Sequence, residues 1–233
     1  MAFILNIETS TSVCSVAIAK DGKVISSKES HGEKTHASHL TPFIEEVISN
    51  SGITSEELDG IAVSKGPGSY TGLRIGVSTA KGIAYALEIP VIAVCTLFSM
   101  ANGLKEEKPD VFNDTDLLFC PMLDARRMEV YLALYNQELD NEPQVKAEII
   151  NENSFQQILN NRKIVFFGNG IEKCRKVIRH ENAIFVEQFN PLARYMADIS
   201  YSYFLKKNFV NMAYFEPFYL KDFIATTPKN LLK

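Results

Sequence analysis

The chain has 233 residues, 46% hydrophobic and 22% charged, an ordinary soluble balance with enough length to bury a sizeable core. A formal net charge of −4 and a pI near 5.7 exclude a chain that grips a nucleic-acid backbone by bulk charge alone, which needs clustered Lys and Arg. The opening MAFILNIETS lacks a basic leader, and no apolar run approaches the roughly 18 residues that a membrane span needs, so a cytoplasmic protein without membrane contact is expected.

Phe3 to Ile7 reads as a buried strand, followed by the hydroxyl-rich turn Glu8 to Ser12 and a second strand over Val13 to Ala19. Asp21-Gly22 is a hairpin signal that returns the chain as a third strand, Lys23 to Ser30. Leu40, Phe43, Ile44, Val47 and Ile48 have helical spacing, and a helix kinked at Pro42 is expected to begin near Thr35 to Ala37. Thr54 or Ser55 with Glu57 forms a capping pattern before the strand Gly60 to Ser64.

The central stretch runs from Ser64 to Ala86. Gly66, Pro67 and Gly68 make a turn, and Ser69 and Thr71 are both available to cap the helix that follows, Thr71 to Glu88. Gly72, Gly76, Ala80 and Ala84 recur every four residues and lay small side chains along one face. Helical glycine costs about 1 kcal/mol relative to alanine, so a close backbone approach is expected there, from the protein's own sheet or from a helix of a second polypeptide. On the second alternative, Gly76→Leu or Ala80→Arg would abolish partner binding and leave the monomer folded.

Pro90 to Val94 is a further strand, and Thr96 to Gly103 begins a helix. The charged, aperiodic stretch Lys105 to Asp116 is the best boundary, giving units 1–104 and 105–233. Beyond it, Leu117 to Leu123 and Val130 to Tyr135 read as strands around the turn Asp124 to Arg127, where an Arg–Asp pair is expected to hold the hairpin. Val145 to Ile150 and Ile164 to Phe167 are strands, with helices at Ser154 to Asn160, from Gly170 to Arg179, and from Pro191 to about Lys207. The tail EPFYLKDF is extended, and no strong internal repeat is visible.

Four scattered cysteines, Cys14, Cys95, Cys120 and Cys174, form no CxxC pair and are expected as reduced, buried small hydrophobes. His36 and His39 have an i,i+3 spacing that can present two metal ligands, but Glu33, Glu45 and Glu46 are the only local carboxylates and no HExxH occurs. They are expected as surface or interface histidines, and His31 and His180 stand alone. Lys65 to Gly72 is glycine-rich and opens a helix, although it is not GxxxxGK[ST]. With Glu8, Thr9 and Ser10, the residues Gly66 and Gly68 are the candidates for a nucleotide contact; the alternative is a turn held by its own hydroxyls. No GxSxG elbow is present.

GPGSYTGLRIGVSTAKGIA at Gly66 to Ala84, IPVIAV at Ile89 to Val94, ILNIETS at Ile4 to Ser10, LDARRMEVYLALY at Leu123 to Tyr135 and PFYLKD at Pro217 to Asp222 closely resemble the TsaB (YeaZ) family. These are the smaller, non-catalytic relatives of TsaD/Kae1, long labelled glycoproteases. The resemblance spans nearly the whole chain, with Lys221 where the family usually has arginine and Asn6 where members often carry Asp. It implies an α/β, actin-like (ASKHA) fold of two related mixed-sheet domains and a part in forming threonylcarbamoyladenosine (t6A) at position 37 of tRNA. In the TsaD branch two histidines of a VNHxxxH sequence hold the metal; here Thr96 and Met100 stand in their places, and neither suits a hard metal.

The resemblance therefore implies a scaffold without catalytic activity or metal of its own. It would bind a TsaD-like catalytic subunit and a TsaE-like ATPase, with ATP and metal on those partners, tRNA reached only through the complex, and a homodimer when alone. Thr71, Gly72, Leu73, Ile75, Gly76, Thr79, Ala80 and Ile83, with His36, His39, Leu40 and Phe43 from the preceding helix, are the expected partner-binding residues. The competing expectation is an autonomous enzyme, either metallopeptidase-like or ATP-dependent.

Overall fold

The computed structural model describes residues 1–30, 36–110, 116–139 and 144–220. The first sheet is built from β1 (Phe3–Glu8), β2 (Cys14–Lys20), β3 (Lys23–Ser30), β4 (Gly60–Gly66) and β5 (Val91–Cys95), in the order β3-β2-β1-β4-β5. The β1-β2-β3 meander is antiparallel, whereas β4 and β5 join parallel to β1. Between the strands lie α1 (His36–Ser51), with Pro42 inside it, and α2 (Tyr70–Leu87). Thr35, His31 and Glu33 lie outside the described residues. The Thr54/Glu57 pattern closes a single 3-10 turn, in which the Thr54 N–H donates to Glu57 Oε2 over 2.8 Å.

After β5 comes α3 (Thr96–Glu107), starting where the sequence suggests, and then the second sheet: β6 (Leu117–Asp124), β7 (Glu129–Leu132), β8 (Lys146–Ile149), β9 (Lys163–Phe167) and β10 (Ala183–Val186). Its order is β10-β9-β6-β7-β8. β6, β7 and β8 form an antiparallel meander, and β9 and β10 add parallel to β6. The strand directions and crossovers of the first sheet are thus repeated, although no repeat is visible in the residues. Two mixed five-stranded sheets of one topology are the actin-like architecture.

Short helices α4 (Gln156–Leu159) and α5 (Ile171–Cys174) cover one face of the second sheet around Cys120, Phe166 and Ile178. On the other face Met100 and Leu104 of α3 meet Phe119, Phe167, Phe189 and Tyr195. The chain then turns back. A 3-10 turn at Ala193–Met196 and α6 (Ala197–Leu205) leave the second sheet and pack on the first, with Met196 and Ile199 against Ile4, Ala62 and Ile92. The buried Ser15 hydroxyl accepts the Ala193 N–H over 2.7 Å, and Arg194 reaches both Glu29 and Glu107. The opposite face of the first sheet is covered by α1 and α2. All four cysteines are buried and none forms a disulfide, and burial pushes the Cys14 and Cys174 thiols up to about 11.

Candidate functional site

The turn between β1 and β2 meets the start of α2 directly. Ser69 caps α2 by accepting the Gly72 N–H, and its own N–H donates to Ser10 O over 2.6 Å. Thr9 Oγ1 donates to Gly72 O over 2.9 Å. His36 Nε2, at the start of α1, lies 2.6 Å from Thr11 O; the carbonyl must accept, so this nitrogen carries the proton. Glu8, Thr9 and Ser10 are buried, and Glu8 Oε1 accepts the Ser10 N–H over 2.6 Å. Burial raises the Glu8 carboxyl above its usual range, against the lowering effect of hydrogen bonds from Ser10, Ser64 and Thr9.

This contact is close. A Cβ at Gly68 would stand 2.4 Å from Ser10 O, and one at Gly66 would stand 2.9 Å from Phe218 O in the C-terminal segment. The five nucleotide candidates are therefore brought together, Ser10 against Gly68 and Gly66 against the C-terminal segment at Phe218. Hydroxyls do stabilise the turn, as Thr11 Oγ1 accepting the Val13 N–H illustrates.

Of the two alternatives for the small-residue ladder, the structure supports the approach of the protein's own chain. Gly72, Gly76, Ala80 and Ala84 all face inward. A Cβ at Gly72 would lie 2.1 Å from Thr9 O, and one at Gly76 would lie 2.3 Å from Thr9 Oγ1. The backbone that approaches this face is the protein's own, so Gly76→Leu and Ala80→Arg would disturb the fold before any partner. Of the expected partner residues, Gly72, Leu73, Gly76, Ala80, Leu40 and Phe43 are buried; Ile75, Thr79, Ile83, His36 and His39 are half-buried; Thr71 is exposed.

The sequence reading missed a second row two positions along. Arg74, Ser78, Gly82 and Ala86 are exposed on the side of α2 opposite the ladder, since two residues advance about 200° around a helix. A Cβ at Gly82 would meet nothing within 4 Å, and Tyr85 beside it is 78% exposed. At the helix start the Tyr70 and Tyr219 rings sit 4.9 Å apart, and Arg74 Nη1 donates to the Tyr70 hydroxyl. The four-residue spacing of Ser78, Gly82 and Ala86 was available as a signal, hidden by the stronger glycine row.

Thr96 and Met100 open α3 with both side chains fully buried. Met100 Cε lies 2.6 Å from where a Gly168 Cβ would be, packed under the second sheet. A hydroxyl and a thioether in that packing do not fit a hard metal. No group of three or more metal-ligating side chains occurs among the described residues, and His36 and His39 do not converge on one. The expected Arg–Asp pair at the β6–β7 turn is also corrected: Asp124 pairs with Lys173 and accepts the Arg126 backbone N–H, leaving the arginine side chains outside.

Residues 23–229 match the family profile TsaD, tRNA N6-adenosine threonylcarbamoyltransferase. The chain is 31% identical over 234 residues to the Escherichia coli (strain K12) tRNA threonylcarbamoyladenosine biosynthesis protein TsaB, covering 95% of this chain and 96% of that protein. The chain belongs to the TsaB branch of the TsaD family. The TsaB of Bacillus subtilis (strain 168) is 37% identical over 133 residues, 57% of this chain and 54% of that protein. YeaZ from Pseudomonas aeruginosa superposes with a TM-score of 0.78 at 24% identity, over 94% of this chain and all of its own, a likeness of fold. No helix among the described residues of this TsaB-family chain is long and apolar enough to cross a membrane.

Proposed function

We propose that this TsaB-family protein is the accessory subunit of a t6A-forming complex, binding and supporting a TsaD-like catalytic subunit. Its similarity to the Escherichia coli TsaB along nearly the whole of both chains carries the reading. The buried Thr96 and Met100 side chains support it, because they leave the metal chemistry to another subunit. ATP and metal then belong to the TsaD-like and TsaE-like partners, and tRNA is modified only when the complex is assembled. Alone, the protein forms a homodimer through the surface that later takes the partner.

That surface is the outer face of α2. Ser78, Gly82 and Ala86 let another helix approach closely, and exposed Tyr85 gives an aromatic anchor of the kind that concentrates binding energy. Reconstituting t6A formation on unmodified tRNA from purified subunits, with and without this chain, tests the function. Product formed equally well without it would refute the accessory role. Stoichiometric metal in the isolated protein, or millimolar-range ATP binding by it, would favour an autonomous enzyme instead.

A further inference from the structure

We infer that this chain itself holds RNA phosphates, through the Arg126-Arg127 turn and the basic side of the α5 segment beside it. The inference rests on the t6A reading for the identity of the RNA. Both arginines are exposed, and among the described residues neither guanidinium has a hydrogen-bond or ion-pair partner. Both are left-handed, with φ of 71° and 49°. A non-glycine residue there costs about 1–3 kcal/mol, and such strain persists where the surroundings impose it.

The surroundings do impose it. Asp124 accepts the Arg126 N–H, the Asp124 N–H donates to Asn169 Oδ1 over 2.9 Å, and Lys173 ties Asp124 to the Glu129 carbonyl. Further along the same segment, Lys176 and Arg179 are exposed and without a hydrogen-bond or ion-pair partner among the described residues. Arg175, on the same segment, is paired with Glu187.

The duplicated topology sharpens the contrast. The counterpart turn of the first sheet, Thr9 to Val13, is covered by the start of α2, with Thr9, Ser10 and Thr11 buried. The 124–129 turn stays open. Forked guanidiniums with spaced lysines suit phosphate oxygens along a backbone.

The test uses the complex of this chain with a TsaD-like subunit and an unmodified tRNA transcript titrated at several salt concentrations. Arg126→Asn/Arg127→Asn retains residues that tolerate the left-handed backbone, and Lys176→Gln/Arg179→Gln leaves the turn untouched. With the first pair, tRNA affinity should fall about tenfold and the slope of log affinity against log salt should shrink by about 1.5, as for two lost phosphate contacts. The second pair should act in the same direction, with partner affinity and melting temperature unchanged in both. Unaltered tRNA affinity and slope in both variants would overturn the inference while leaving the accessory role standing. Loss of partner affinity instead would reassign the patch to a protein contact and also overturn it. If the wild-type subunits fail to assemble, the accessory reading falls by itself. The chain alone, titrated with the same transcript, then decides: binding weakened by the Asn pair upholds the arginine site, and binding that is absent or unaffected ends it.

Discussion

Thr9 and Gly72 are 63 residues apart and joined by a hydrogen bond from the threonine hydroxyl to the glycine carbonyl over 2.9 Å. Thr9 lies so close to α2 that both its carbonyl and its hydroxyl occupy positions where a side chain at Gly72 or Gly76 would begin. The glycines are there for the protein's own turn. A neighbour at 2.1 Å from the would-be Cβ of Gly72 is backbone and cannot rotate away. Gly72→Ala should therefore lower stability by about 2–4 kcal/mol, above the usual overpacking cost, read as a drop in urea midpoint.

Gly82 gives the opposite result on the same helix. Its would-be Cβ meets open space, so Gly82→Ala should raise stability by up to about 1 kcal/mol through helix propensity alone. Gly82→Arg should leave the melting curve intact and weaken binding to a TsaD-like subunit by about tenfold or more, as expected when a close helix approach is blocked. Calorimetry on the folded variant measures this. Wild-type affinity would mean that the outer face of α2 is not the contact.

Glu8 should leave a signature in the pH dependence of stability. Burial raises its folded carboxyl pKa above the unfolded value, so between the two values the folded state holds a proton that the unfolded state has released. Stability should fall as pH rises through that window. Glu8→Gln keeps an acceptor for the Ser10 N–H and removes the titration. Melting followed from pH 4 upward should show the wild type losing stability relative to Glu8→Gln, and parallel curves would show that the carboxyl ionises as freely as in the unfolded chain.

Much of the fold was legible because local chemistry agreed with it. Alternating apolar runs, Asp21-Gly22 and the Ser69 cap place β1 to β5 and α2 within a residue or two of the sequence expectation. The misses have physical causes. Gly103 sits inside α3, where the Tyr195 ring would be 2.3 Å from any Cβ, a contact that no local pattern announces. β10 has only four residues, none fully buried, and no glycine or proline bounding it. Which side of α2 faces inward could not be read at all, since small residues run along both sides and the deciding atom belongs to Thr9, far away in sequence. The repeat is one of strand direction rather than of residues, so periodicity could not reveal it.

Restoring the liganding residues of the catalytic branch should fail to restore a metal. Thr96→His/Met100→His would place two imidazoles in a core where Met100 now touches Gly168 and both side chains are fully buried. Gly168 is left-handed, with φ of 100°, and lies against the Met122 carbonyl, so its backbone has little freedom to yield to a rigid ring. Among the described residues no group of three or more metal-ligating side chains occurs to build on. The double variant should lose about 1–3 kcal/mol of stability from overpacking and show substoichiometric metal by elemental analysis. One equivalent of tightly held zinc or iron, with melting raised rather than lowered, would mean that the site had kept its ligand geometry and had lost only its donors.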